Sequence, residues 1–157
     1  MSGRDGAVRP SIRDFAPRDQ LLVRRLILDG LGEHWGTVDE SLNVDLEDIA
    51  CSYTNGRTVV AELAGEVIGT GTLVRRDSTT GEIVRMSVSA NCRRAGLGAR
   101  IVEELIETGR SLSMTRVVLE TSSSWIDVIA FYCACGFEVT GEQDGEFGRD
   151  TWFELRL

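Results

Sequence analysis

The run Arg93-Arg94-Ala95-Gly96-Leu97-Gly98 carries the clearest chemistry in this chain, because a valine-bearing strand candidate passes through it directly into an amphipathic segment. The first backbone N–H groups of a helix have no intrahelical acceptor and sit at the positive end of its dipole, so such a junction suits a phosphate ester. Glycine at 96 and 98 removes Cβ atoms that would hold an anion away from those donors. Arg93, Arg94 and Arg100 add fork-shaped charge for phosphate oxygens. A tight strand-to-helix turn with solvated arginines fits the same residues, so the run alone leaves both readings open. Two familiar phosphate loops are excluded: no Gly-Lys-Ser/Thr follows at P-loop spacing, and Ile101 stands where a dinucleotide fingerprint needs its third glycine.

The elements that must position this run follow from periodicity. Leu97, Ile101, Val102, Leu105 and Ile106 recur at helical spacing, predicting a one-faced helix closed by Gly109 and Ser111-Leu112-Ser113. Upstream, Thr58 to Leu63, Val67 to Arg75 and Glu82 to Val88 are rich in β-branched residues and separated by turn-forming stretches, which predicts an antiparallel meander. Arg116 to Glu120 then reads as a strand parallel to Glu82–Val88 across a strand-helix-strand crossover. Before the meander, Val8 to Phe15 reads as a short strand, Asp19 caps a helix carrying Leu21, Leu22, Leu26 and Ile27, and Gly30 to Val38 reads as a loop. Leu42, Leu46, Ile49 and Tyr53 predict a second helix, ending near Asn55-Gly56. Ile126 to Cys135 reads as a helix stopped by Gly136, with Phe137-Glu138-Val139 and Thr151 to Leu157 completing the sheet. The expected class is α/β, an α+β mixed sheet flanked by helices.

Composition narrows the functions. At 157 residues, the chain suits one domain over 1–157 with a short flexible start at about 1–7. A net charge of -8 disfavours nonspecific binding to nucleic acid or to an anionic membrane and suits a cationic partner. The start lacks a secretory apolar core and no stretch is long and apolar enough to cross a bilayer, so a cytoplasmic location is expected. Cys51, Cys92, Cys133 and Cys135 show neither zinc spacing nor disulfide density, so free thiols and no metal are expected. His34 beside Trp35 has no ligand cluster in sequence.

Arg85-Met86-Ser87-Val88, then the glycine run, then Ala130-Phe131-Tyr132-Cys133-Ala134-Cys135-Gly136-Phe137 together resemble the GNAT superfamily of acetyltransferases over the C-terminal half of the chain. The resemblance implies an N-acetyltransferase that uses acetyl-CoA as cosubstrate. It implies that the cofactor pyrophosphate rests on Arg93, Arg94, Ala95, Gly96, Leu97, Gly98 and Ala99. It implies further that the pantetheine arm pairs with main-chain groups of Met86, Ser87 and Val88, where their strand diverges from the next parallel strand. A homodimer is common in that family. The alternative in a different class is a CoA-binding module without turnover.

Direct attack of a neutral amine on the thioester needs orientation, a route for the amine proton and a donor to the leaving thiolate. Tyr132 matches the family tyrosine that protonates the sulfur, and an aromatic core role fits it as well. Glu82 matches a strand glutamate that acts through water as general base in some relatives. Glu120, ending the strand opposite, is a second candidate. Cys92 beside the loop lacks the histidine context of an acyl-transfer nucleophile. The family commonly places asparagine where this chain has Trp125, whose indole cannot reproduce both faces of an amide, so that contact to the cofactor arm is not carried over; packing on the cofactor, capping the cleft and simple core burial are its alternatives. The acceptor is read as an amine, in a cationic small molecule or peptide, from the acidic balance and from Asp39, Glu40, Asp45, Glu47 and Asp48 on the expected acceptor side, residues that an ordinary solvated helix face fits equally.

Overall fold

The computed structural model describes residues 8–157; the expected flexible start lies outside the described residues. Strands β1 (Ser11–Asp14), β2 (Gly56–Leu63), β3 (Glu66–Arg75), β4 (Thr80–Val88), β5 (Arg116–Ser122), β6 (Glu138–Gly145) and β7 (Gly148–Arg156) form one sheet in the order β1-β2-β3-β4-β5-β7-β6. Every neighbouring pair is antiparallel except β4 and β5. The helices are α1 (Gln20–Trp35), α2 (Ile49–Ser52), α3 (Leu97–Ser111) and α4 (Ile126–Ala134). The expected mixed α/β class is the one observed.

Strand alternation sorts the side chains into two layers. Val59, Ile83, Val117, Leu119 and Phe153 face α3 and α4, meeting Leu97, Ile101, Val102, Leu105 and Ile106 in the larger core. Val60 faces the other way, meeting Val23 and Ile27 of α1 with Leu46 and Ile49. The α3 stripe is the one read from sequence. The meander also forms as expected, with Ala64 and Gly65 both at positive φ in the primed turn that matches strand twist.

Three expectations are corrected. Gly30 to Val38 is not a loop up to Trp35, because α1 continues through it and ends at Gly36, φ 78°. Glycine at 30 serves packing: a Cβ there would stand 2.8 Å from Ser87 Oγ on β4. That contact also fixes which face of α1 meets the sheet, so Val23 and Ile27 are buried while Leu21 and Leu22 are exposed. The continuous second helix is broken into 3-10 turns at Glu40–Leu42 and Val44–Glu47 followed by the single turn α2. The Asp39 and Asp48 side chains each accept a hydrogen bond from a following backbone N–H, at Ser41 and Cys51, restarting the chain each time. Gly109 stays inside α3, packed against Leu157 and Met114, and Ser113 takes the left-handed conformation, φ 60°, after the helix.

Candidate active site

The parallel pairing of β4 with β5 covers Thr80↔Arg116, Gly81↔Val117 and Glu82↔Val118, then stops. Beyond Glu82, β4 continues beside β3 to Val88, while β5 continues beside β7 to Ser122. Of the Glu82–Val88 segment only the first residue is paired with β5, so the divergence expected at Met86, Ser87 and Val88 is present, and a V-shaped opening follows. Within it, one edge of β4 has no strand partner among the described residues, and the backbone N–H and C=O groups of this half-buried stretch call for hydrogen bonds from elsewhere. A bulge sits in the same stretch: Thr70 pairs with Ser87 and Thr72 with Val84, leaving Arg85 and Met86 opposite Gly71. Arg85 has φ 54°. Gly71 is required beside the bulge, since its Cβ would stand 2.5 Å from Met86 Sδ.

The glycine run stands at the mouth of this opening. Gly96 immediately precedes α3 with φ 80°, and among the described residues no side chain caps the helix start and nothing lies within 4 Å of the place a Cβ would take. The first N–H groups of α3 therefore face open space at the positive end of a fifteen-residue helix. Arg94, at φ 66°, Ala95 and Ala99 are exposed on this turn. Gly98 has a different role from its neighbour: a Cβ there would stand 3.1 Å from Phe131 Cζ, so its absence lets α4 pack against the start of α3.

The arginines divide. Arg93 pairs with Glu33 of α1 and donates from Nε to the Val88 carbonyl at 3.1 Å. Arg100 donates to the Pro10 carbonyl at 2.9 Å. Of the three, Arg94 alone has no hydrogen-bonding or ionic side-chain partner among the described residues. Ser87 commits its side chain to α1, donating to the Leu26 carbonyl at 3.1 Å, and its main chain pairs with Thr70 of β3, so Val88, the next residue, turns its main chain to the opening.

Tyr132 lies on α4, 7% exposed, among Phe131, Phe137 and Phe153, with ring centroids 5.0, 6.0 and 5.9 Å away. Burial pushes its phenol well above the ordinary value, the Cys135 thiol adding to the shift, so the hydroxyl stays protonated at neutral pH. On the α1 face of the sheet, Glu82 is 8% exposed and paired with Arg76. Glu120 shares that face one strand away. Burial raises its pKa, and Asp150 and Glu82 raise it further while Arg76 opposes them. Among the described residues no helix covers the sheet beside these carboxylates: a concavity of about 350 Å³ lies over β5, β7 and β6, lined by Val118, Arg116, Glu142 and Trp152 among others.

The acidic run on the expected acceptor side is largely occupied. Asp39 and Asp48 accept backbone hydrogen bonds as above, Glu40 pairs with Arg24, and Asp45 is held by Arg85 and Tyr53. The carboxylates facing the opening are instead Glu82, Glu120 and Asp150. Trp125 stands at the start of α4, stacked on His34 at 4.1 Å and tilted against Trp35 at 5.3 Å. These rings join the end of α1, on the β4 side, to the end of β5 across the V. The sequence showed the His34-Trp35 pair but gave no sign that it would meet a residue ninety positions on. The four cysteines are free, and no cluster of metal-binding side chains occurs among the described residues.

The model of the acetyltransferase (GNAT) family matches residues 22–137, so the chain belongs to that family. N-acetyltransferase 8B of Rattus norvegicus is 32% identical over 120 residues, covering 71% of this chain and 54% of that protein. The chain thus spans about half the length of the relatives it matches in this way. An acetyltransferase of the GNAT family from Staphylococcus aureus Mu50 has the same fold, with a TM-score of 0.82 at 20% identity over 94% of this chain and 99% of the other. A GNAT family acetyltransferase from Elizabethkingia anophelis, solved with acetyl-CoA bound, gives 0.72 at 19% identity over 95% and 99%. Among the described residues, no helix is long and apolar enough to cross a membrane.

Proposed function

We propose that this protein is an acetyl-CoA-dependent N-acetyltransferase acting on a primary amine by direct attack. The observation that carries the reading is the open, uncapped start of α3 at Gly96 placed beside the unpartnered edge of β4. That pair of features fits the two ends of one ligand, a diphosphate and an amide-bearing arm, and acetyl-CoA supplies an activated acetyl thioester there. The main-chain N–H groups of Leu97, Gly98 and Ala99, with the Arg94 guanidinium, hold the diphosphate. Met86 and Val88, on either side of the β3-paired Ser87, offer backbone to the arm, although Arg93 already occupies the Val88 carbonyl.

Tyr132 is the donor to the departing thiolate: its burial keeps the phenol protonated at neutral pH, so a proton stands beside the sulfur as the C–S bond breaks. Glu82 or Glu120 takes the amine proton, directly or through water. The shared negative charge of Glu82, Glu120 and Asp150 on the open face supports a cationic acceptor, small molecule or peptide, in place of the acidic run at 39–48.

Thermal unfolding with acetyl-CoA, ATP and NAD tests the cofactor: a ligand at a hundred times its Kd stabilises by about 2.7 kcal/mol. Stabilisation by acetyl-CoA alone supports the reading, and equal stabilisation by ATP overturns it. Release of free CoA is then followed with spermidine, a lysine peptide, a peptide with a free N-terminus and aromatic amines. Turnover supports the enzyme, whereas CoA binding with no turnover on any of them favours the binding module.

A further inference from the structure

Arg85 stands at the bulge of β4, just before Ser87 and Val88, with a backbone conformation that a non-glycine residue adopts at a cost of about 1–2 kcal/mol. Its side chain reaches across to the chain between α1 and β2. Nε and Nη2 form a two-point fork on Asp45 at 2.9 and 2.6 Å, and Nη1 donates to Asn43 Oδ1 at 3.0 Å. Tyr53 donates its hydroxyl to the same carboxylate. The Arg85 and Asp45 side chains retain 22% and 27% of their exposure, so little water competes for these bonds. Burial would raise Asp45, but the bonds from Arg85 and Tyr53 outweigh it and hold the carboxylate ionised below its ordinary range. The segment gripped is itself anchored: Leu46 is fully buried, and Gln20 bonds the Leu46 carbonyl and the Ile49 N–H at 2.8 and 3.0 Å.

We propose that Arg85 is a positioning residue for the cofactor gap: held by Asp45 and Asn43, it pins the bulge of β4 and keeps the strand beyond it at the opening the pantetheine arm requires. The physical reason lies in the pairing of β4. Past Glu82 the strand is supported on one edge only, by β3, and the bulge interrupts even that ladder between Thr70 and Thr72. A second anchor, from the layer above, fixes the direction in which the strand leaves β5. The inference rests on the acetyl-CoA reading above, and its test keeps the two apart.

A second arginine cluster provides the control. Arg13 forks onto Asp19 at 2.8 and 2.9 Å and reaches Glu62 at 2.9 Å, joining β1, β2 and the start of α1 away from the gap. Calorimetric titration with CoA is carried out on the wild-type protein, Asp45→Asn, Arg85→Lys and Asp19→Asn, each first shown to unfold cooperatively in urea. Asp45→Asn is expected to weaken CoA binding about tenfold, Arg85→Lys by less, and Asp19→Asn not at all, although both aspartate variants unfold at lower urea. CoA binding by Asp45→Asn within about twofold of wild type would overturn the proposal, as would an equal loss in Asp19→Asn. If Asp45→Asn fails to fold, Arg85→Lys carries the same criterion. A wild-type protein that does not bind CoA defeats the cofactor reading instead. Hydrogen exchange at the Ser87 amide, on the β3-paired side of the strand, then decides for the anchor, which requires faster exchange in Arg85→Lys and falls if exchange is unchanged.

Discussion

The sheet is two structures joined at three residue pairs, and they are stabilised differently. Strands β1 to β4 are sandwiched, with α3 on one face and α1 with the Leu46–Ile49 segment on the other. Strands β5, β7 and β6 are covered on the α3 and α4 face alone, and β6 is exposed along its whole length. Charge follows the same division. In the sandwiched part, Asp19 and Asp45 each meet an arginine fork and are held below their ordinary values. In the open part, Glu120 faces Asp150 and Glu82 and is pushed the other way. The open part also holds matched pairs, Arg116 with Glu154 and Arg149 with Glu142, so its surplus negative charge is local to Glu120, where under the proposed function a cationic substrate would supply the missing partner.

The sharpest way to break this comparison uses adjacent residues of β7 that face opposite sides. Phe153 is fully buried against α3 and α4, and Phe153→Ala is expected to cost about 3–5 kcal/mol in urea unfolding. Trp152 lines the open concavity, and Trp152→Ala should cost about 1 kcal/mol. Equal losses would mean that the open face carries a share of the core.

Tyr132→Phe comes next. The ring remains to pack with Phe131, Phe137 and Phe153, so stability should change by less than about 1 kcal/mol. Turnover should fall by about a hundredfold, equivalent to about 2.7 kcal/mol of transition-state stabilisation. Unchanged turnover in a folded variant would return Tyr132 to the core and leave the thiolate to another donor.

How far each part was legible in the sequence also differs. The α3 stripe, the meander and the glycine run could be read because helix, strand and turn signals are local, and Leu97 to Ile106 or Ala64-Gly65 carry them within a few residues. The region before β2 misled for the same reason. Gly30 looks like a loop residue until Ser87, fifty-seven positions on, occupies the space of its side chain. Asp39 and Asp48 look like a solvated acidic face, yet their carboxylates cap short turns. For the site, the motif residues and their order were visible. The Arg85 fork on Asp45, the Arg93 pair with Glu33 and the Trp125 stack on His34 were not, because each joins residues forty or more positions apart and no local pattern encodes such a pair.

Two glycines in open surroundings give a smaller contrast. A Cβ would meet nothing within 4 Å at either Gly96 or Gly141, but Gly96 alone of the two has a positive φ. Gly96→Ala is expected to cost about 1 kcal/mol, from backbone strain with no clash to relieve. Gly141→Ala, on β6, should stay within about 0.5 kcal/mol of wild type, since alanine restricts the unfolded chain at no steric expense. Thermal unfolding of the two variants side by side reads this, and a loss at Gly141 as large as at Gly96 would show that conformation is not what selects glycine at the turn.

The smallest effect concerns pH and has opposite signs in the two parts. Asp19 has a folded pKa below its ordinary 3.8, so it contributes stability above that value and loses it as pH falls through the depressed folded pKa. Glu120 has a folded pKa above its ordinary 4.5, so the folded state binds its proton more readily than the unfolded chain does. Its ionisation therefore lowers stability as pH rises from about 4.5 through the raised folded pKa, and the penalty is complete above that point. Glu120→Gln removes the penalty: the variant should be slightly more stable than wild type at neutral pH, with the difference closing as the pH approaches 4.5. Urea midpoints across that range measure it. A difference that stays constant with pH would trace to the neutral side chain and not to charge, and the open face would then hold no electrostatic tension for an acceptor to relieve.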